Sequence, residues 1–188
     1  STPLYSSAAS DVYKRQIYSE ARELIEWHRD RGHDIVILSA SASLLVEPIA
    51  QELGIDRVVA TEIEVVDGKL TGEITRYLKG EQKAEAMREL VEKQGYDLAA
   101  SYAYSDSLTD VPMLSLVGHP VAVNPERGLK KHAAEHGWDT RVFKNPEPLF
   151  DPPGAKEIGI GAGVVVTVTA LTAFGIWLAQ RGRGGATS

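Results

Sequence analysis

The strongest constraint on this chain is an alternation of short apolar runs with helical stretches across residues 34–143. Asp34-Ile35-Val36-Ile37-Leu38 is aliphatic and β-branched without polar alternation, which suits a strand covered on both faces. Ser39-Ala40-Ser41 follows it. A helical stretch over 43–53 comes next and is closed by Gly54. Residues 57–60 predict another short strand, and 62–74 alternate around Asp67-Gly68, a strong hairpin signal. The pattern then predicts a helix over 81–93 and a strand over 100–104. A loop over 105–110 enters a helix that runs through Leu116. A strand over 119–123, a helix over 125–136 and a last strand over 140–143 complete the pattern. Upstream, Ala21, Leu24, Ile25 and His28 fall at helical spacing from Ile17 onward, and Gly32 stops that run. Strands alternating with helices imply an α/β fold: βα units, a mostly parallel, Rossmann-like sheet and helices on both faces. Ligands in such sheets sit at the carboxyl ends of the strands.

Composition narrows the function classes. The net charge is −6 and no basic stripe runs along the chain, so nucleic acid is not an expected partner. The chain has no cysteine, which excludes disulfides, thiol catalysis and cysteine-based zinc sites.

The two ends differ from the middle. Residues 1–16 are polar, and Ser6-Ser7-Ala8-Ala9-Ser10-Asp11-Val12-Tyr13-Lys14-Arg15-Gln16 resembles translated sequencing-adaptor DNA, so this segment is expected to be non-native. Residues 144–157 carry Pro146, Pro148, Pro152 and Pro153 and predict an extended linker. Residues 158–179 then run without a charge, a stretch of 22. As a helix it would rise about 33 Å, enough for a hydrocarbon core of about 30 Å. Trp177 sits near one end, where an indole suits the interface. The expectation is a single-pass membrane helix over 158–180 with a short tail over 181–188. Arg181 and Arg183 favour a cytoplasmic tail. A folded domain without a leader argues the opposite, and that argument is the stronger, so the domain is expected on the cytoplasmic side.

Three places could carry chemistry. Ser39 ends a buried strand ahead of a helix, and its hydroxyl with the N–H groups of Ala40 and Ser41 would make a phosphate cradle. Ser39, Ser41 or Ser43 could equally cap that helix. Lys83 falls in the first turn of a helix, where a cation opposes the dipole; a role beside anions would explain it, and so would plain solvation. In Ser105-Asp106-Ser107-Leu108-Thr109-Asp110, four-residue spacing brings two carboxylates to one side of a strand-to-helix junction. Hard oxygen ligands of that kind suit Mg²⁺. The alternative is a capping box formed by Ser107 and Asp110.

In this order the three resemble motifs two, three and four of haloacid dehalogenase superfamily phosphatases, in wording close to the phosphoserine-phosphatase-like branch (subfamily IB). Ile35-Val36-Ile37-Leu38-Ser39-Ala40-Ser41 is similar to motif two. Lys79-Gly80-Glu81-Gln82-Lys83 is similar to motif three, and the run from Tyr104 to Met113 is similar to motif four. Asn124-Pro125 also fits, and the likeness covers residues 17–143. The resemblance implies that Ser39, Ala40 and Ser41 hold phosphoryl oxygens and that Lys83 neutralises phosphate and a nucleophilic carboxylate. It further implies that Asp106 binds Mg²⁺ and that Asp110 orients the metal's surroundings or Lys83. Ser105 departs from the glycine that commonly precedes the first aspartate of motif four.

The family's first motif, Asp-x-Asp-x-Thr or Val, does not occur in the sequence. By resemblance it supplies the nucleophile, and its strand is the centre of the sheet. The expectation is therefore an N-terminally truncated core without its central strand or most of its cap, inactive alone. The expected reaction of the parent is Mg²⁺-dependent hydrolysis of a small phosphomonoester such as phosphoserine, or of a lipid phosphate, through an aspartyl phosphate. Two other readings stand beside it: a non-catalytic, membrane-anchored α/β binding module, and a zinc peptidase using His132, Glu135 and His136 of the H-x-x-E-H run.

Overall fold

The computed structural model describes residues 16–149 and 174–181. Chain order is β1 (Gln16–Tyr18), α1 (Ser19–Arg29), β2 (Asp34–Ala42), α2 (Ser43–Glu52), β3 (Arg57–Val66), β4 (Lys69–Arg76) and α3 (Glu81–Gln94). It continues with β5 (Tyr96–Ser105), a 3₁₀ turn (Leu108–Asp110), α4 (Val111–Leu114), β6 (His119–Val123), α5 (Arg127–His136), β7 (Asp139–Arg141), β8 (Pro146–Pro148) and β9 (Phe174–Arg181).

A seven-stranded sheet runs in the order β4-β3-β2-β9-β5-β6-β7. The pairs β2/β3, β5/β6 and β6/β7 are parallel, as the βα alternation requires. The uninterrupted apolar run in β2 follows from burial on both faces. Val36 and Leu38 join Met87, Met113, Leu114 and Leu129 in a cluster beneath α3, α4 and α5. Ile37, between them, joins Ile25, Val46, Ala50 and Ile55 beneath α1 and α2. The two-residue period of the strand thus feeds two cores. Where the chain turns from α4 towards β6, only glycine fits: a Cβ on Gly118 would stand 1.9 Å from the Ala99 carbonyl oxygen. The β3/β4 hairpin turns on Asp67 (φ 52°) and Gly68 (φ 74°), the paired positive φ of a two-residue turn.

Several expectations change. Ile17 and Tyr18 form a strand, not the start of a helix, because β1 pairs antiparallel with β8 (Ile17 opposite Glu147). Part of the proposed linker is therefore ordered. Pro146 and Pro148 are tolerated because alternate residues of an outlying strand need no N–H towards the partner. The helix expected through Leu116 breaks into a 3₁₀ turn and a short α4 with Pro112 in its first turn. Residues 1–15 lie outside the described residues, as do 158–173 of the expected membrane helix.

The remainder of that expected helix is a strand. β9 stands antiparallel between β2 and β5, with Ser39 opposite Phe174 and Tyr104 opposite Ile176. The centre of the sheet, expected to lack a strand, is thus filled. The physical reason is the backbone: β2 and β5 each present a row of N–H and C=O groups towards that position, and a paired strand satisfies both. Among the described residues no helix is long and apolar enough to cross a membrane.

Beneath α1 lies a buried polar cluster. His28 is fully buried; its Nδ1 lies 2.8 Å from His33 Nδ1 and its Nε2 lies 2.9 Å from the Tyr104 hydroxyl. Burial, helped by the charges of His33, Arg141 and Arg31, holds the His28 imidazole down at about 3. Burial likewise pushes the Tyr104 hydroxyl up. The folded protein therefore favours neutral His28, whereas the unfolded chain titrates near the ordinary 6.5. The stability tied to the neutral ring is intact above about pH 6.5 and is lost as pH falls towards 3. Urea denaturation at stepped pH should show stability falling from neutral pH to about pH 4, with a shallower fall in His28→Gln. Equal slopes in the two proteins would refute this assignment.

Candidate active site

The sheet brings the strand ends to one edge. β2 and β5 run in the same direction on either side of β9, with Ser39 opposite Phe174 and Tyr104 opposite Ile176. Asp106 follows directly on Ser105, the last residue of β5, and the bulged turn at Ala40 and Ser41 follows Ser39 in β2, so both turns lie towards the same edge.

At the end of β2 the register slips between Ser39 and Ala42, so Ala40 and Ser41 bulge out of the ladder. Ser39 is fully buried, and its Oγ accepts the Ser41 N–H at 3.1 Å. The helix that follows has Ala42 at its N-cap and no side-chain cap bond, so these serines do not cap it.

Lys83 is 1% exposed, which excludes a solvated surface lysine. Gly80, in a conformation with φ 60° and ψ −123°, turns the chain into α3, and the Lys83 N–H closes the first turn on the Gly80 carbonyl at 3.1 Å. The lysine side chain then points inward, and Nζ donates to Asp110 Oδ2 at 2.7 Å. Both partners are buried, so the charge of each requires the other.

Ser105 Oγ donates to the same Asp110 Oδ2 at 2.7 Å and accepts the Ser107 N–H at 3.2 Å. Ser107 does cap the 3₁₀ turn through the Thr109 N–H, but Asp110 turns into the core instead of completing a capping box. Asp110 Oδ1 and Asp106 Oδ1 are both buried without a hydrogen-bond partner among the described residues. Burial pushes the Asp106 carboxyl above its ordinary range; the Asp110 and Glu126 carboxylates add to the push, while a backbone N–H and Lys83 oppose it. Two buried carboxylate oxygens without donors on one loop are a donor set for a hard cation, and Mg²⁺ takes one or two carboxylates with water completing its shell.

The geometry adds two residues that sequence reasoning did not single out as part of the site. Ser105 stands where glycine is common, yet its hydroxyl gives Asp110 Oδ2 a second hydrogen bond beside that from Lys83. Glu126 clamps the aspartate loop: its Oε1 accepts the Leu108 N–H at 2.6 Å, and its own N–H donates to the Asp106 carbonyl at 3.0 Å. Its neighbour Gly128 leaves room for Leu108, whose Cδ2 would be 2.9 Å from an added Cβ. Asn124 has a structural task, pairing its amide with the N–H and carbonyl of Phe143 at 2.9 and 3.2 Å.

The H-x-x-E-H run is not assembled as a metal centre. His132 and His136 stack at 3.9 Å and lie against Trp138, and Glu135 pairs with Lys131. Among the described residues no group of three or more histidine, aspartate or glutamate side chains could hold a metal.

The fold thus sets a buried lysine–aspartate pair, a bulged serine turn and an acidic loop at one edge of a mostly parallel α/β sheet. The chain belongs to the haloacid dehalogenase-like hydrolase family, whose model matches residues 4–115. It is 47% identical over 181 residues to the inhibition of morphological differentiation protein of Streptomyces azureus, spanning 92% of this chain and 64% of that one. It is 44% identical over 164 residues to a probable phosphatase of Mycobacterium tuberculosis, spanning 87% of this chain and 57% of that one. A solved phosphoserine phosphatase carrying a phospho-aspartyl intermediate analogue superposes with a TM-score of 0.55 at 28% identity, over 66% of this chain and 58% of that one. The chain therefore spans about three fifths of the length of such relatives.

Lys83→Met would leave the Asp110 charge buried with only Ser105 beside it. The expected cost is about 3 kcal/mol in urea denaturation. Replacing both, as Lys83→Met with Asp110→Leu, should recover most of that loss. If the double variant is as destabilised as the single one, the two side chains are not an interdependent pair.

Proposed function

We propose that the protein is a Mg²⁺-dependent phosphomonoesterase of the phosphoserine-phosphatase type. The observation that carries this reading is the buried lysine–aspartate pair, with Asp110 Oδ1 and Asp106 Oδ1 both donorless among the described residues, on the same sheet edge as a bulged serine turn. Each part has a task in phosphoryl transfer, where catalysis is positioning and charge stabilisation. Ser39 and the N–H groups at the bulge would hold phosphoryl oxygens. Lys83 would offset the charge gathered as a carboxylate attacks phosphorus, while Asp110 holds Nζ in place. Asp106 would hold Mg²⁺, with Asp110 ordering its surroundings, and the ion when bound would neutralise phosphate oxygens.

The attacking carboxylate belongs, in this reading, to a segment beyond these 188 residues, because the sequence holds no Asp-x-Asp pair. Attack would release the alcohol and leave an aspartyl phosphate, which water would then hydrolyse. The similarity to a phosphoserine phosphatase favours a small phosphomonoester such as phosphoserine as substrate; the apolar C-terminal stretch makes a lipid phosphate the alternative. The 188-residue chain alone should not turn over phosphoserine. Joined to a segment bearing Asp-x-Asp-x-Thr or Val, it should do so with Mg²⁺, stop with EDTA, and lose about a hundredfold in kcat/KM on Asp106→Asn. Equal turnover by the chain alone would sink the reading.

We also propose membrane attachment through 158–180, with the domain on the cytoplasmic side, supported by the uncharged run over 158–179. The same residues cannot serve as β9 and as membrane helix at once. Insertion would therefore accompany replacement of β9 by the strand that bears the nucleophile. The joined protein should float with phosphatidylcholine vesicles, and a version ending at residue 157 should stay at the bottom of the gradient. Identical distributions would remove the anchor from the proposal.

A further inference from the structure

The bulge at the end of β2 creates a need that another residue meets. Ser39 and Ala42 face consecutive residues of β3, Ala60 and Thr61, so Ala40 and Ser41 drop out of the ladder. The Ala40 carbonyl thereby loses its strand partner. Thr61 Oγ1 donates to it at 2.8 Å. The same oxygen accepts the Leu78 N–H at 3.1 Å, and Thr61 is only 4% exposed. One buried hydroxyl thus joins the serine turn to the segment that enters α3 two residues later at Gly80 and carries Lys83.

The direction of these bonds matters. The Ala40 carbonyl and the Ser41 N–H belong to one planar peptide unit, so fixing one fixes the other. The Ser41 N–H points at Ser39 Oγ. That bond occupies the Ser39 oxygen as an acceptor and leaves its own proton to donate outward. On the other side, anchoring Leu78 sets where Gly80 starts the helix and so where Lys83 enters the core.

We propose that Thr61 is a positioning residue for phosphate: it orients the Ser39–Ser41 cradle and locks the cradle to the lysine helix, without touching the ligand. This rests on the reading of Ser39 and Lys83 as the phosphate site. Valine keeps the shape of threonine and removes the hydroxyl; serine keeps the hydroxyl. The probe is inorganic phosphate with Mg²⁺, titrated into the 188-residue chain and followed by calorimetry. Thr61→Val should weaken phosphate about tenfold, the order expected for one lost buried hydrogen-bond network. Thr61→Ser should stay within about twofold of the unaltered chain. Thr61→Val combined with Ser39→Ala should weaken binding by less than the two losses together, because one acts through the other.

If Ser39→Ala weakens phosphate and Thr61→Val does not, the proposal is overturned and the site stands. If the unaltered chain binds no phosphate, or Ser39→Ala changes nothing, the site reading falls and takes the proposal with it. Should the valine variant fail to fold, the unaltered chain still decides. Saturating phosphate should slow hydrogen exchange at the Leu78 amide, which is bonded to the cradle through Thr61. Unchanged exchange there overturns the proposal.

Discussion

The contact on which the site depends is the 2.7 Å bond between Lys83 Nζ and Asp110 Oδ2, with both side chains 1% exposed. A charge so far from water is tolerable only beside its opposite. The pair therefore sets the distance between the first turn of α3 and the turn after β5. Ser105 and Gly80 serve that distance from either side, one by adding a hydrogen bond to the same oxygen and one by bending the chain so the lysine can enter. Asp110 Oδ1, like Asp106 Oδ1 on the same loop, is left without a donor among the described residues. Lys83 supplies one positive charge among these carboxylates, and Glu126 adds another negative one at the rim. The proposed Mg²⁺ would be a second cation at this loop and would balance these charges.

Much of the α/β core was legible because its signal is local. The apolar run of β2 stands for burial on two faces, and Asp67-Gly68 can adopt the positive φ that the hairpin turn demands. Elements defined by their partners were not legible. β1 and β8 have little strand character alone, and the prolines around Glu147 point away from a strand; only pairing makes them one. Likewise, 174–180 closes the uncharged run that suggested a membrane helix over 158–180, and it becomes a strand where two neighbouring strands offer unpaired backbone.

The site divides in the same way. Ser39, Asp106 and Asp110 sit where strands end, a place that sequence pattern finds. Lys83 by itself reads either as a surface lysine or as a cation held beside anions; its order relative to the other motifs favoured the second. Thr61, Ser105 and Glu126 act through bonds between segments up to 21 residues apart, and their residue types are ordinary in exposed turns. A polar residue directly after the apolar run 58–60 was the available signal for Thr61, since burial there requires a partner for its hydroxyl.

The centre of the sheet joins these threads. A strand between β2 and β5 must satisfy backbone groups on both sides, and either direction of the chain can do so. What direction decides is chemistry. A strand parallel to β2 and β5 would deliver its last residue to the edge where Ser39 and Asp106 emerge; antiparallel β9 begins at that edge with Phe174 and carries its later residues away from it. The same hydrogen-bonded position can therefore hold the fold together without furnishing a nucleophile. Stability and the proposed catalysis separate at this strand: backbone pairing meets the first requirement, and in the proposed reading a carboxylate at the far end of a parallel strand would meet the second.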